Sequence, residues 1–275
     1  MAATQPQESR YNVRSVDRGL SILLTLADGK RRTLTELSED IGISTSTTFR
    51  LLASLTQYRF VDRGEETGRY RLGIACLELA RAYQAGDTIR QAAMPELEAL
   101  RDRTWETVHL AVLDDMEVVY LDKVQGLHAI GLMSSRVGSR APAYCTGVGK
   151  AMLAHVDPEL VRQHFVRVGL QRFTDSTLES VDALIDHLAL VSQRGYALDN
   201  GEHESEVRCV AAPIFDRGGR AIAAISVSGP KGRMEPLQEN SELIAHVLQA
   251  VARISADLGY RAPEPVSPAD TQLPA

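Results

Sequence analysis

Residues 34–55, LTELSEDIGISTSTTFRLLASL, decide the fold of the N-terminal quarter of the chain. A short helix reads over about Thr35–Ile41, Gly42 supplies a tight turn, and Ser44 caps a third helix that runs to about Tyr58. At about 100° per residue, Thr48, Leu51, Leu52 and Leu55 share one arc of that helix. Ser46, Thr47, Arg50, Ser54 and Gln57 share another, so one side is core and the other carries short hydroxyls and one arginine. Short side chains let a helix sit deep in the major groove of DNA. An arginine can donate two hydrogen bonds to a guanine edge, and the helix N-terminus favours phosphates. Taken alone, the same helix also reads as an ordinary solvated face.

The flanks decide between these readings. Upstream, Val16, Leu20, Leu23, Leu24 and Ala27 recur at spacings of three and four and give a first helix that stops at Asp28-Gly29. Downstream, FVDRGEETGRYRLG (60–73) places short apolar segments around Gly64 and Gly68, as a two-stranded wing requires, with Arg63, Arg69 and Arg71 on it. Helix, helix, turn, helix and basic hairpin make a winged helix-turn-helix, in which wing arginines contact the phosphate backbone or minor groove. The net charge of −6 is unevenly divided: residues 1–73 hold 11 basic and 9 acidic side chains, the remainder 19 and 27. Any phosphate-binding surface therefore belongs to the N-terminal quarter.

The length of 275 residues, 44% hydrophobic and 24% charged, allows a second and larger domain. Ile74–Ala85 reads as a linker helix ending at Gly86-Asp87, and beyond it the pattern is mixed α and β. Ile89–Arg103 is helical, while 106–113 and 117–124 alternate like paired strands around Asp114-Asp115. Asp157 and Pro158 start a helix, and Ser176 with Glu179 forms a capping-box signature before a long helix closed by Gly195. Segments 208–215 and 220–228 form a hairpin, and a final helix spans about Pro236–Leu258. The expected layout is a disordered arm over 1–10, the winged module over 11–73, the linker helix over 74–87, an α+β domain over 88–261 and a disordered tail over 262–275. No apolar run is long enough for a membrane span and no basic-then-apolar leader is present, so the expected location is the cytoplasm. Cys76, Cys145 and Cys209 are odd in number, far apart and form no CxxC pair, which argues against a disulfide framework or a four-cysteine zinc site.

Several stretches invite a chemical reading. TGVGKAM (146–152) lacks the Walker spacing, because Tyr144 and Ala151 stand where glycine and a hydroxyl residue are needed. A glycine turn whose amides hold a carboxylate is the preferred reading. His203, Glu204, Glu206 and Cys209 match no zinc spacing, so no metal and no cofactor is expected. Asp199, Glu202 and Cys209 suit hydrolysis in type, yet no histidine partner can be assigned from sequence and no catalytic set is expected. Ser226 and Ser228 alternate along a strand and share one sheet face, where they either bond within the sheet or recognise a ligand.

From Val13 to Gly259 the chain resembles the IclR family of bacterial transcription regulators. The carriers are VRSVDRGLSILLTL (13–26), the helix-turn-helix 34–55, TGRYRLG (67–73), TGVGKAMLA (146–154), GYALDNGEHESEVRCVAAPIFD (195–216) and AISVSGP (224–230). The resemblance implies a GAF-like domain with a six-stranded antiparallel sheet flanked by helices, joined by the linker helix to the DNA reader. It implies a regulator, read as a repressor, that binds a palindromic operator in double-stranded DNA as a homodimer or tetramer and responds to a small carboxylic acid. DNA contact carries over to Ser46, Thr47 and Arg50, with Thr45 where many members have lysine, and the wing adds Arg69 and Arg71. Effector contact carries over to Gly147, Val148, Asp199, Cys209, Ser226 and Ser228, with an apolar wall of Ile130, Met133 and Ala141. Two positions depart from the family pattern: the common glutamate pair is Gly201-Glu202, and Glu206 replaces a glycine. The rival readings are an enzyme of organic-acid metabolism with an appended helical domain, and a winged helix used for protein contacts.

Overall fold

A computed structural model describes residues 12–127, 133–236 and 240–261. The chain divides into two compact units, 1–87 and 88–275. In the first, α1 (Arg14–Leu26), α2 (Leu34–Ile41) and α3 (Thr45–Gln57) precede strands β1 (Val61–Arg63) and β2 (Tyr70–Leu72), and α4 (Ile74–Gly86) follows. The start of α2 is fixed by a reciprocal capping box: Thr33 Oγ1 accepts from the Glu36 amide at 3.2 Å, and Glu36 accepts from the Thr33 amide at 2.6 Å. Gly42 then turns the chain at φ 72°, a left-handed conformation that costs a glycine nothing. Ile22, Leu26, Leu37, Leu52, Val61 and Tyr70 close a small core between the helices and the wing.

The second unit is built on a six-stranded sheet in which every pairing is antiparallel. Its strands are β3 (Thr107–Asp114), β4 (Glu117–Val124), β5 (Arg140–Pro142), β6 (Ala197–Asp199), β7 (Val207–Phe215) and β8 (Ala221–Pro230), in the order β5-β4-β3-β8-β7-β6. Around it lie α5 (Thr88–Thr104), α6 (Gly147–Leu153), α7 (Pro158–Val168), α8 (Val181–Arg194), the single turn α9 (Lys231–Met234) and α10 (Ser241–Asp257). Strand alternation separates two cores. Val108 and Leu110 of β3, Val210 and Ala212 of β7, and Ile225 and Val227 of β8 pack with α5 and α10. On the opposite face Ala111, Ala211 and Ala224 pack with α6, α7 and α8. That second face carries small or polar residues at its centre, and a side chain missing there leaves room between sheet and helices.

Two expectations change, and two short strands are added. The capping box at Ser176 and Glu179 does not form: α8 starts at Val181 with Ser180 Oγ accepting from the Ala183 amide at 3.1 Å. The reason is Thr177, whose buried hydroxyl accepts from the Phe173 and Thr174 amides and donates to the Glu202 carbonyl at 2.7 Å, folding this segment into a turn. The last helix begins at Ser241, not near Pro236, because the Asn240 side chain caps it by accepting from the Leu243 amide at 3.1 Å. The short edge strands β5 and β6, three residues each, have too little periodicity to read from sequence. The arm over 1–10 and the tail over 262–275 lie outside the described residues.

Candidate functional site

Helix α3 buries Thr48 and Leu52 and half-buries Leu51 and Leu55. Thr45, Ser46, Arg50 and Ser54 are exposed, and Thr47 is half-buried. Ser44 Oγ lies 3.2 Å from Ser46 Oγ and 2.9 Å from Thr47 Oγ1, so these hydroxyls also finish the helix cap. The Arg50 guanidinium has no hydrogen-bond or ion-pair partner among the described residues. The wing arginines differ from it. Arg69 donates to the Arg31 carbonyl at 2.9 Å and to Glu36 at 3.3 Å, which ties the wing to the capping box of α2. Arg71 lies 3.5 Å from Asp62 across the hairpin, and Arg63 stacks over the Tyr70 ring.

In the second unit, sheet register assembles the rest. Asp199, Cys209, Ser228 and Thr107 are successive partners across β6, β7, β8 and β3, while Ala211, Ser226, His109 and Lys123 form the next row across β7, β8, β3 and β4. These rows floor a cavity of about 120 Å³. Gly147, Val148, Asp199, Cys209, Ser226, Ser228, Met133 and Ala141 all line it, and Ile130 lies outside the described residues. Gly147 is required by close approach: a Cβ there would sit 2.6 Å from Cys209 Sγ and 3.2 Å from the Ala211 methyl. Asp199 is satisfied internally, with one oxygen accepting from the Gly201 and Glu202 amides at 3.0 and 2.8 Å and the other 3.8 Å from Cys209 Sγ. Burial pushes its carboxyl up, opposed by Lys150 and by those amides. Behind the cavity the fully buried Lys150 ion-pairs with Glu202 and donates to the Leu198 carbonyl at 2.7 Å.

Sequence reading misses His109, Lys123 and Ser135, and it weighs Glu204 only as a metal ligand. His109 Nδ1 lies 3.4 Å from Ser226 Oγ and 3.3 Å from Ser228 Oγ, and its Nε2 lies 2.8 Å from Ser135 Oγ. Glu204 accepts from the Ser134 amide at 3.0 Å and from its hydroxyl at 2.5 Å. The alternation of β3 already sets His109 on the face of Thr107 and Ala111, but only the β3–β8 pairing brings it to the serines. A serine beside a histidine raises hydrolysis again, and the geometry answers it. A triad needs a carboxylate on the far ring nitrogen, where this chain has the Ser135 hydroxyl. Burial, reinforced by the Lys123 charge, pushes the imidazole down to about 3, far too weak a base near neutral pH. Burial and the Asp199 charge likewise push the Cys209 thiol up, away from nucleophilic thiolate.

Family models for the IclR helix-turn-helix domain and for the bacterial transcriptional regulator IclR C-terminal match residues 15–65 and 82–256. The chain belongs to the IclR family of transcriptional regulators. It is 37% identical over 261 residues to the HTH-type transcriptional regulator KdgR of Escherichia coli K12, covering 94% of this chain and 98% of that one. It is 35% identical over 260 residues to the transcriptional repressor IclR of the same organism, covering 94% and 93%. Among solved structures, an IclR homolog from Microbacterium hydrocarbonoxydans complexed with 4-hydroxybenzoate superposes with a TM-score of 0.76 at 28% identity, covering 89% and 98%. These IclR-family relatives are named as regulators and repressors, not enzymes, and the two-part fold described above is the family's own. No helix among the described residues is long and apolar enough to cross a membrane.

Proposed function

We propose that this regulator is a cytoplasmic repressor that binds a palindromic operator as a homodimer and is controlled by a small organic acid held in the second unit. The observation that carries the DNA half is the exposed face of α3, where unpartnered Arg50 stands beside Thr45, Ser46 and Thr47. Arg71 and the remaining donors of Arg69 flank this face as phosphate contacts. Dimerisation is supported by apolar side chains that the chain leaves uncovered: Val13, Val16, Leu20 and Leu24 form a stripe along α1, each 54–66% exposed, and on α4 Leu79 and Tyr83 share one exposed face while Leu77 is exposed on another. A twofold dimer presents two recognition helices, hence an inverted repeat with half-sites about one helical turn or a multiple apart.

The effector half is carried by the cavity over β3, β7 and β8, where Gly147, Val148, Asp199, Cys209, Ser226 and Ser228 converge beside Met133 and Ala141. Within this reading, residues 88–261 form the effector and oligomerisation domain, and 74–87 connect it to the reader. An acid that binds one state of this domain better than another shifts operator occupancy by that difference alone. The test is selection of operator sequences from a random duplex library, followed by gel-shift titration of the enriched sequence with and without small acids. An enriched inverted repeat, released by at least one acid, is the expected result. Enrichment of no motif, or of a single half-site without symmetry, refutes the palindromic dimer.

A further inference from the structure

The direction of one proton decides which ligand atoms the cavity floor can hold. Ser135 Oγ has two polar neighbours among the described residues, Lys123 Nζ at 3.1 Å and His109 Nε2 at 2.8 Å. Lys123 also donates to the Ser135 carbonyl at 2.8 Å, which fixes its ammonium against this residue. An ammonium has donors and no lone pair, so Lys123 engages the serine oxygen and leaves the hydroxyl proton to be placed elsewhere. Of these two neighbours only His109 Nε2 can accept it. A neutral imidazole that accepts at one nitrogen carries its proton on the other, and burial keeps this ring neutral. With that bond made, Nδ1–H points at Ser226 Oγ and Ser228 Oγ, neither serine gives its proton to the ring, and one of the two donates to the other at 3.2 Å.

We infer that Lys123 and Ser135 hold His109 as the Nδ1–H tautomer, so that the Ser226–Ser228 pair, bonded to each other at 3.2 Å, keeps one O–H donor for the cavity and selects a ligand oxygen that bears no proton, a carboxylate or an adjacent oxo group. With the opposite tautomer at least one serine would donate to Nδ1 and the floor would offer lone pairs, which suits an alcohol or an ammonium. The acidic side chains of the lining do not oppose the first arrangement. Asp199 already accepts from two amides and faces Cys209, and Glu204 accepts from Ser134. His109, Ser135 and Lys123 are thus positioning residues that act through the two serines. The selectivity rests on the effector reading above; the tautomer does not.

Nitrogen-15 correlation spectra of the imidazoles, with the His109 signals assigned by their loss in His109→Gln, read the tautomer in the full-length protein without any ligand. Wild type should show a protonated Nδ1 and a bare Nε2, retained in Lys123→Arg and lost to a mixture in Lys123→Met and Ser135→Ala. Thermal shifts with pyruvate and pyruvamide, 4-hydroxybenzoate and 4-hydroxybenzamide, and gluconate and gluconamide then read selectivity. The preference for acid over matched amide should fall about tenfold in Lys123→Met and stay within about twofold of wild type in Lys123→Arg. A protonated Nε2 in wild type overturns the inference whatever binds. An Nδ1–H ring with undiminished acid preference in both Lys123→Met and Ser135→Ala overturns the selectivity. Should no acid of the panel bind while the ring is Nδ1–H, the effector reading and the selectivity built on it both fall.

Discussion

The buried pair of Lys150 and Glu202 gives the sharpest test of how the effector cavity is held in place. Lys150 sits on α6, one turn beyond Gly147 and Val148, and its ammonium reaches across to Glu202 and the Leu198 carbonyl, on either side of Asp199. Replacing Lys150 with methionine keeps an unbranched side chain one atom shorter and strands a carboxylate that is itself nearly fully buried, with one oxygen already unpartnered. Breaking a buried pair in this way costs about 3–5 kcal/mol, whereas removing both charges is often close to neutral. Lys150→Met/Glu202→Leu should therefore recover at least half of the loss, a coupling of about 2 kcal/mol or more. Trp105 is the only tryptophan and lies in the second unit, so its fluorescence in a urea titration reports on that unit. The effect also has a pH signature. Burial already pushes the Glu202 carboxyl up and Lys150 opposes it, so removing Lys150 raises it further above its unfolded value. A carboxyl raised in the folded state binds its proton more tightly there, so the variant regains stability as pH falls and loses it as pH climbs through the raised value. The deficit should be smaller at pH 5 than at pH 8. Single losses that simply add, or a deficit independent of pH, would refute the buried-pair account.

Four further outcomes are expected. Gly149→Ala places a methyl 2.2 Å from the Ala143 carbonyl oxygen and 2.4 Å from its Cα, backbone that cannot yield, so thermal unfolding of the second unit should show a loss at the top of the roughly 1–3 kcal/mol overpacking range or beyond. An unchanged melting profile would contradict that packing. Arg50→Ala should weaken binding to the selected operator by about 1–3 kcal/mol while leaving the circular dichroism spectrum intact, and equal affinity in gel shift removes Arg50 from the DNA contact. Ser226→Ala/Ser228→Ala should abolish release by acid and leave operator affinity in place; preserved release denies the serines their role. His109 is held near 3 by burial against about 6.5 when unfolded, so the unfolded state takes up the proton first as pH falls. Its contribution is complete above 6.5 and is lost toward 3, by about 1.4 kcal/mol at pH 5.5. His109→Gln should lose that part of the acid sensitivity, and parallel stability curves for both proteins would contradict it.

What could be read from the chain divides by the range of the interaction responsible. Helix α3, its Ser44 cap and the Gly42 turn are local, set by side chains within four residues of one another, and the quoted stretch carries them complete. Ser226 and Ser228 were legible as one face of one strand, but their partner was not, because His109 is 117 residues away from Ser226 and meets it only through antiparallel pairing. The same holds for Lys150 with Glu202, separated by 52 residues, and for Ser134 with Glu204, separated by 70. The false start of α8 at Ser176 has this cause as well. A local capping signature lost to a longer-range bond, from Thr177 to the Glu202 carbonyl, that no window of neighbouring residues contains.

These long-range polar contacts converge on one face of one sheet, and stability alone does not explain their presence. The opposite face shows how this sheet is best stabilised, with Val108, Leu110, Val210, Ile214, Ile225 and Val227 packed against α5 and α10. On the cavity side the same strands bury His109, Ser226, Ser228, Thr107 and Asp199, groups that cost free energy unless each finds a partner. The chain supplies those partners from several separate segments, and it keeps Gly147 and Ala211 small where larger side chains would close the space. A fold selected only for packing would fill this position with leucine. A face that departs from the rule followed by its own reverse side, and whose departures bond to one another around a cavity, is where the chain departs from its own packing logic for the sake of a ligand.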